Sequence, residues 1–268
     1  MSGRVNQWAC KLRSAWLTHR AGDGPAQLAR ALDEIRSDIP VLLISYNNGV
    51  YVEHMVRQLN GLGIRPIVLD NHSNDTGTRE LLSRLERAGD AKIVHLTRNF
   101  GHKVVFLPPF YDLLPETFAC SDPDLLFNEN MPVDFLAQLL NLARTYGVFK
   151  AGLALELLPE LEVIEASYGK FKCRPFPFQR RYSVQDWENR FWRKQLLHSS
   201  LEVFSAPIDT TMAVYDKQLY DGDFFDAVRV AGNFSCLHLP WYPRLDHFDA
   251  GSKKSYLHGN RSTSWMKT

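Results

Sequence analysis

Short apolar runs alternate with segments of helical periodicity, and this alternation most constrains the fold. Ile39-Pro40-Val41-Leu42-Leu43-Ile44-Ser45 is continuously apolar, as suits a strand buried on both faces. Val50 to Leu62 follows, with Val52, Met55, Val56 and Leu59 on one helical face. Pro66 to Asp70 and Lys92 to Leu96 repeat the strand pattern. Thr78 to Ala88, carrying Leu81, Leu82 and Leu85, reads as the helix between them. Phe118-Ala119-Cys120 predicts a fourth strand, and Pro132 to Tyr146 a helix. Strand and helix in alternation specify an α/β fold with a mostly parallel sheet and right-handed crossovers. Beyond Gly147 the pattern weakens. Phe149 to Leu157 and Thr210 to Tyr215 read as strands, and Val184 to His198 as a helix rich in Trp and Phe.

Ahead of this region, Val5 to His19 places Val5, Trp8, Ala9, Leu12, Ala15 and Trp16 at helical spacing, with basic residues between. Two readings stand: an amphipathic helix on an anionic membrane surface, or a helix packed on the main domain or a second subunit. Gly22-Asp23-Gly24-Pro25 punctuates the chain before a second helix, about Ala26 to Arg36. The expected organisation is a helical extension over 1–38, an α/β domain over 39–250, and a polar tail or flap over 251–268.

The 268 residues carry a net charge of +1, which makes no case for a nucleic-acid partner. The four cysteines, Cys10, Cys120, Cys173 and Cys236, form no CxxC pair and read as free thiols in a reducing compartment. No stretch approaches the ~20 apolar residues of a membrane span. Arg4, Lys11, Arg13 and Arg20 interrupt every apolar run at the N-terminus, unlike a secretory leader. The expectation is a cytoplasmic protein, peripheral at the inner face of the membrane if its first helix lies there.

Ligands of open parallel sheets bind outside the carboxyl ends of the strands. Four strand ends here carry polar residues: Ser45-Tyr46-Asn47-Asn48, Asp70-Asn71-His72-Ser73, Thr97 to Lys103, and Ser121-Asp122-Pro123-Asp124. Any one alone is an ordinary turn or helix cap. Four in register point to a site. No GxGxxG follows a strand, and neither a P-loop nor a G-x-S-x-G elbow is present. Asp122 and Asp124, one residue apart, suit a hard divalent cation held against a phosphate. In the third strand-end loop, Arg98, His102 and Lys103 are basic, and Asn99-Phe100-Gly101 permits close backbone approach to a ligand.

Ile44-Ser45-Tyr46-Asn47, Leu69-Asp70-Asn71-His72-Ser73-Asn74-Asp75 and the mid-domain Asp122-Pro123-Asp124, in this order, resemble family 2 glycosyltransferases of the GT-A fold. The resemblance is good over about Ile39 to Leu126 and looser to about Tyr242. It implies a Rossmann-like sheet flanked by helices. It also implies metal-dependent, inverting transfer of one sugar from a nucleotide-diphosphate sugar, a UDP-sugar first, to a glycan or lipid-diphosphate-linked acceptor in bacterial-type surface polysaccharide synthesis. Ser45, Tyr46 and Asn47 would line the nucleoside pocket, and Asp70 and Asn71 would bond the base or ribose. Asn99, Gly101, His102 and Ser121 would join them on the donor. Asp122 and Asp124 would hold Mn2+ or Mg2+, with His238 completing the metal shell.

Inverting transfer needs a base for the acceptor hydroxyl. The family carries a Glu-Asp pair for this, and this chain has none. Asp209, Glu156 and Glu188 are the candidates, Asp209 preferred because it sits at the start of an expected strand, flanked by small polar residues. The QxxRW motif of processive synthases is also absent, which favours single addition. Phe171 to Trp192, dense in aromatic and basic residues, is either an acceptor surface or a packed segment with a solvated basic face. Two rival functions remain: an Asp-x-Asp phosphotransferase or phosphatase, and a non-catalytic glycosyltransferase-like binding module.

Overall fold

β1 (Val41–Ser45) is buried at every residue, as its unbroken apolar run requires. It lies between β2 (Ile67–Asp70) and β4 (Thr117–Ser121), with β3 (Lys92–His95) outside β2; all three pairings are parallel. The computed structural model describes residues 19–158, 183–242, 244–245, 251, 253–254 and 256. The chain divides into two compact units, Met1–Pro123 and Asp124–Thr268. The architecture is mixed α/β, as expected from the alternation.

In the first unit the strand order is β3-β2-β1-β4. Helices α1 (Gly24–Ile35), α2 (Gly49–Gly61) and α3 (Thr76–Ala88) supply the connections and the flanks. α1 starts with Pro25 in its first turn, where the missing N–H costs nothing. α2 buries Tyr51, Val52, Met55, Val56 and Leu59, a stripe at helical spacing. α3 is capped by Asp75, whose carboxylate accepts from the Thr78 N–H at 2.7 Å, and ends at Gly89 in the left-handed region. The parallel register aligns Ser45 with Asp70 and Asp70 with His95, so three strand ends share one rim.

The second unit holds β5 (Leu125–Phe127), α4 (Phe135–Tyr146), β6 (Lys150–Leu155), α5 (Val184–Glu188), β7 (Gln195–Leu196), β8 (Val203–Ser205), β9 (Ala213–Asp216) and β10 (Ala227–His238). Its order is β9-β6-β10-β8-β7, with β5 also paired to β10. Only β6 and β10 run parallel in this unit's described pairings; the others are antiparallel. β10 pairs Val230 with Leu153, then Ser235 with Ala154, so residues 231–234 bulge out of the ladder. Gly232, at φ 67°, supplies the left-handed residue of that bulge. Beyond it, Cys236 to His238 pair with β5. Gly152 lies under the 208–213 segment: a Cβ there would stand 2.8 Å from both Ile208 Cδ1 and Ala213 Cβ and would strike the Met212 carbonyl.

Two elements depart from expectation. The helix read over Val184 to His198 ends at Glu188, continues as a 3-10 turn over Asn189–Trp192, and gives way to β7. Pairing of Gln195 and Leu196 with β8 overrides the helical periodicity there. The strand read over Thr210 to Tyr215 is β9, starting at Ala213; residues 209–212 form a bend. The expected helix over Val5 to His19 lies outside the described residues except for His19, as do Cys173, all but 183–192 of the aromatic-basic segment, and most of 251–268. No described helix is long and apolar enough to cross a membrane.

Candidate active site

The rim of the first unit is stitched by asparagines. Ser45 Oγ and the Tyr46 N–H both donate to Asn48 Oδ1, at 2.9 and 3.0 Å. Asn47 adopts φ 51°, left-handed and tolerable for Asn. Its N–H donates to Ser73 Oγ at 2.9 Å, and its Oδ1 accepts from the Asn74 and Asp75 N–H groups at 2.9 and 3.1 Å. Its Nδ2 donates to Asn74 Oδ1 at 2.8 Å. Asn71 repeats the device toward the third loop: Oδ1 accepts from the Phe100 N–H at 2.8 Å, and Nδ2 donates to the Gly101 carbonyl at 2.9 Å. Asn47 and Asn71 thus fasten the loops after β1, β2 and β3 to one another, while Ser45 braces the first of them on itself. Asn99 Oδ1 accepts from the Gly101 N–H at 2.7 Å, with Gly101 at φ 88°. Tyr46 is half-buried, His72 and His102 are exposed, and Arg98 lies over the Phe100 ring.

Asp70 is buried at the centre of this rim. Its Oδ1 accepts from the Ser73 N–H at 3.0 Å, and its Oδ2 pairs with His95 Nδ1 at 3.3 Å. Burial opposes ionisation of Asp70, but hydrogen bonds from His95 and Ser73 outweigh it and hold the carboxyl below its usual range. The same bond raises His95, against partial burial, with Glu86 adding to the pull. His95 is a partner that sequence reasoning missed. Its signal was positional: the last residue of β3, in register with the last residue of β2.

At the end of β4, Ser121 is buried and its Oγ donates to the Asp122 carbonyl at 2.6 Å. Asp122 is half-buried, one residue before the first unit ends.

In the second unit Asp124 is 6% exposed and its carbonyl accepts the Leu239 N–H at 2.9 Å. Its Oδ2 lies 3.2 Å from His238 Nε2, and the His238 ring rests on Trp241 at 4.6 Å between centroids. Asp124 Oδ1 is buried with no hydrogen-bond partner. An orphaned buried carboxylate oxygen is costly and calls for a cation or a donor. A carboxylate beside an imidazole is a donor set that suits Mn2+. No cluster of three or more His, Cys, Asp or Glu side chains poised for a metal occurs among the described residues.

The three candidate bases differ sharply. Asp209 is exposed in the 209–212 bend, not at the start of a strand. Glu156 is half-buried just past β6; its N–H donates to the Cys236 carbonyl at 2.9 Å, and its own carbonyl accepts from Tyr242 Oη at 3.0 Å. Glu188 closes α5 at 3% exposure, its Oε2 taking the Arg229 Nη1–H at 2.9 Å. Burial pushes the Glu188 carboxyl above its usual range, with Arg229 and His238 pulling the other way. Arg229 also escaped the sequence reading, although a lone Arg within Ala227-Val228-Arg229-Val230-Ala231 is itself a signal of a buried partner. The described cysteines, Cys120 and Cys236, are free and buried, and burial drives the Cys236 thiol far up.

No protein-family model and no curated protein matches the sequence. Among solved structures, a mannosyltransferase from Pyrobaculum calidifontis in complex with GDP-Man and Mn2+ aligns at a TM-score of 0.45 and 14% identity, covering 85% of this chain and 68% of that one. TarS 1–349 of S. aureus aligns at 0.32 and 14% identity, covering 49% of this chain and 41% of its own. Likeness at this level carries no inference about activity.

Proposed function

We propose that this chain is a metal-dependent glycosyltransferase that moves one sugar from a nucleotide-diphosphate sugar to a hydroxyl of a glycan or lipid-diphosphate acceptor. The observation that supports it best is the Asp124–His238 pair with its orphaned carboxylate oxygen. Asp124 and His238 would hold Mn2+ or Mg2+, with Asp122, two residues earlier, as the second carboxylate of the motif. The ion would supply positive charge against the diphosphate as it departs.

This chain's own residues do the rest. Tyr46 offers the half-buried aromatic face at the β1 end, and Asp70 an ionised acceptor for a base or ribose donor. The stitched loops present them without needing to be ordered by the ligand. Transfer forms a bond from the acceptor oxygen to the sugar C1 and breaks the bond from C1 to the diphosphate oxygen. The electron pair leaves with the diphosphate, and the anomeric centre inverts. The acceptor proton goes to a carboxylate. Action inside the cell on surface-polysaccharide precursors completes the reading.

A thermal-shift titration with UDP and with GDP, each with and without Mn2+, tests it. A ligand at 100 times its Kd stabilises the fold by about 2.7 kcal/mol. A shift that needs both nucleotide and Mn2+, and disappears in Asp124→Asn, is expected. The reading fails if neither nucleotide shifts the transition with Mn2+ or Mg2+, or if Asp124→Asn responds as the parent does.

A further inference from the structure

β3 is the edge strand of the first unit, and the outer backbone groups of an edge strand face water or another strand. At its last residue a side chain takes that place. Gln27, on α1, accepts the His95 N–H at Oε1, 2.9 Å away, and its amide donates to the His95 carbonyl at 3.4 Å. At the other end of β3 Lys92 pairs with Glu34 of the same segment. Just past β3, a Cβ on Gly24 would stand 2.8 Å from Leu96 Cδ2, so α1 lies close against this edge.

The His95 ring is held from the opposite side. Its Nδ1 faces Asp70 Oδ2 at 3.3 Å, while Asp70 Oδ1 accepts the Ser73 N–H. A carboxylate only accepts, so Nδ1 carries the proton of that bond. The ring's Nε2 is left with no hydrogen bond among the described residues. The His95 side chain is 52% exposed and that of Asp70 5%. The carboxylate thus presents little surface to a ligand, and the imidazole it holds presents much. A half-exposed ion pair adds little to stability. Stability therefore does not explain why one exposed side chain is fastened at its N–H, its carbonyl and its ring. Such a group is pre-organised for a contact. Ser45, Asp70 and His95 stand in register on adjacent strands, which spans about 10 Å across two inter-strand gaps. Half-buried Tyr46 follows Ser45, so a nucleoside laid across the rim reaches from Tyr46 at one end to His95 at the other.

We propose that His95 Nε2 meets the nucleobase of the nucleotide donor, and that Asp70 and Gln27 are positioning residues that fix its ring and its backbone. The assignment rests on the glycosyltransferase reading above, and it gives α1, ahead of the first strand, a part in the donor site. Nε2 accepts a base N–H while the ring is neutral and donates to a base carbonyl when the ring is protonated. Uracil, with N3–H beside O4, and guanine, with N1–H beside O6, each present both groups on one edge.

The test uses the full chain with Mn2+ and calorimetric titration of UDP, GDP and pyrophosphate. His95→Ala should weaken the preferred nucleotide about tenfold, while pyrophosphate, which carries no base, stays within about twofold of the parent. Gln27→Ala should weaken the nucleotide about threefold or more, and Gln27→Glu, which keeps an acceptor for the His95 N–H, should restore most of the loss. Asp70→Asn should weaken the nucleotide as His95→Ala does. Long-range 1H–15N spectra should show the Nδ1 proton of His95 in the parent and the ordinary preference for Nε2–H in Asp70→Asn. In the parent, the His95 Nε2 resonance should move on adding the nucleotide and stay on adding pyrophosphate. Nucleotide affinity of His95→Ala within about threefold of the parent, an equal loss for pyrophosphate, or an Nε2 resonance indifferent to the nucleotide overturns the assignment. If UDP and GDP bind the parent no better than pyrophosphate, the base is not read, and the assignment falls while the phosphate side of the glycosyltransferase reading stands. If none of the three binds, that reading fails and takes the assignment with it.

Discussion

Asn47 is the tightest knot of the first unit, and its removal has a calculable cost. Asn47→Ala deletes three side-chain hydrogen bonds: those from the Asn74 and Asp75 N–H groups to Oδ1, and that from Nδ2 to Asn74 Oδ1. At about 1 kcal/mol net each, the loss is about 3 kcal/mol. The residue also sits at φ 51°. Alanine tolerates that region poorly, which adds about 1 kcal/mol. Asn47→Gly deletes the same bonds without the backbone penalty, so it should cost about 3 kcal/mol, about 1 kcal/mol less than alanine. Urea unfolding at unchanged m gives the two values. Amide exchange at Asn74 and Asp75 should accelerate in both variants, because their acceptor is lost. Asn47→Ala within about 0.5 kcal/mol of the parent would refute the account, as would a glycine variant less stable than the alanine one.

Gly152→Ala should destabilise by about 1–3 kcal/mol, because its Cβ meets Ile208, Met212 and Ala213 at once; thermal unfolding reads the loss. Arg229→Met should cost about 3–5 kcal/mol at neutral pH by leaving the Glu188 charge buried alone, and adding Glu188→Gln should recover most of it. Double-mutant-cycle denaturation that finds the two substitutions additive would deny the coupling. The Asp70–His95 pair predicts a stability plateau. Asp70, lowered in the fold, contributes stability above its usual 3.8 that is lost as pH falls through the folded value. His95, raised in the fold, contributes stability below its usual 6.5 that is lost as pH rises through the folded value. Urea midpoints across pH 3 to 8 should therefore decline on both sides, and His95→Ala should flatten the alkaline side.

The first unit is legible in sequence to within a few residues per element. Its strands are buried on both faces and its helices on one, so burial writes directly into periodicity. The second unit is harder because antiparallel pairing and irregular segments dominate it. Trp187, Phe191 and Trp192 mimic a helical stripe, yet a 3-10 turn and the β7–β8 pairing absorb them. The bulge at 231–234 interrupts the pairing of β10, a strand that no unbroken apolar run announces. At the site, residue types are legible but their loyalties are not. Asn47 and Asn71 look like ligand contacts because polar side chains at strand ends usually face a ligand. Only the three-dimensional register reveals that they bond neighbouring loops. Glu188 finds Arg229 41 positions away, a separation no local pattern spans.

The stitched rim also bears on how the protein can diversify. Ser45, Asn47, Asn48 and Asn71 commit their polar atoms to each other and to neighbouring loop backbone, so altering one unfastens a loop before it alters a preference. Tyr46, half-buried, and Asn99, exposed, stand at the same strand ends, whereas exposed His72 holds a left-handed φ of 68°. On the proposed reading, selectivity for one ligand over another would drift through Tyr46 and Asn99 while the scaffold around them stays constant. A randomised library at residues 46 and 99 should therefore yield mostly folded proteins, and the same library at 45, 47 and 71 mostly destabilised ones.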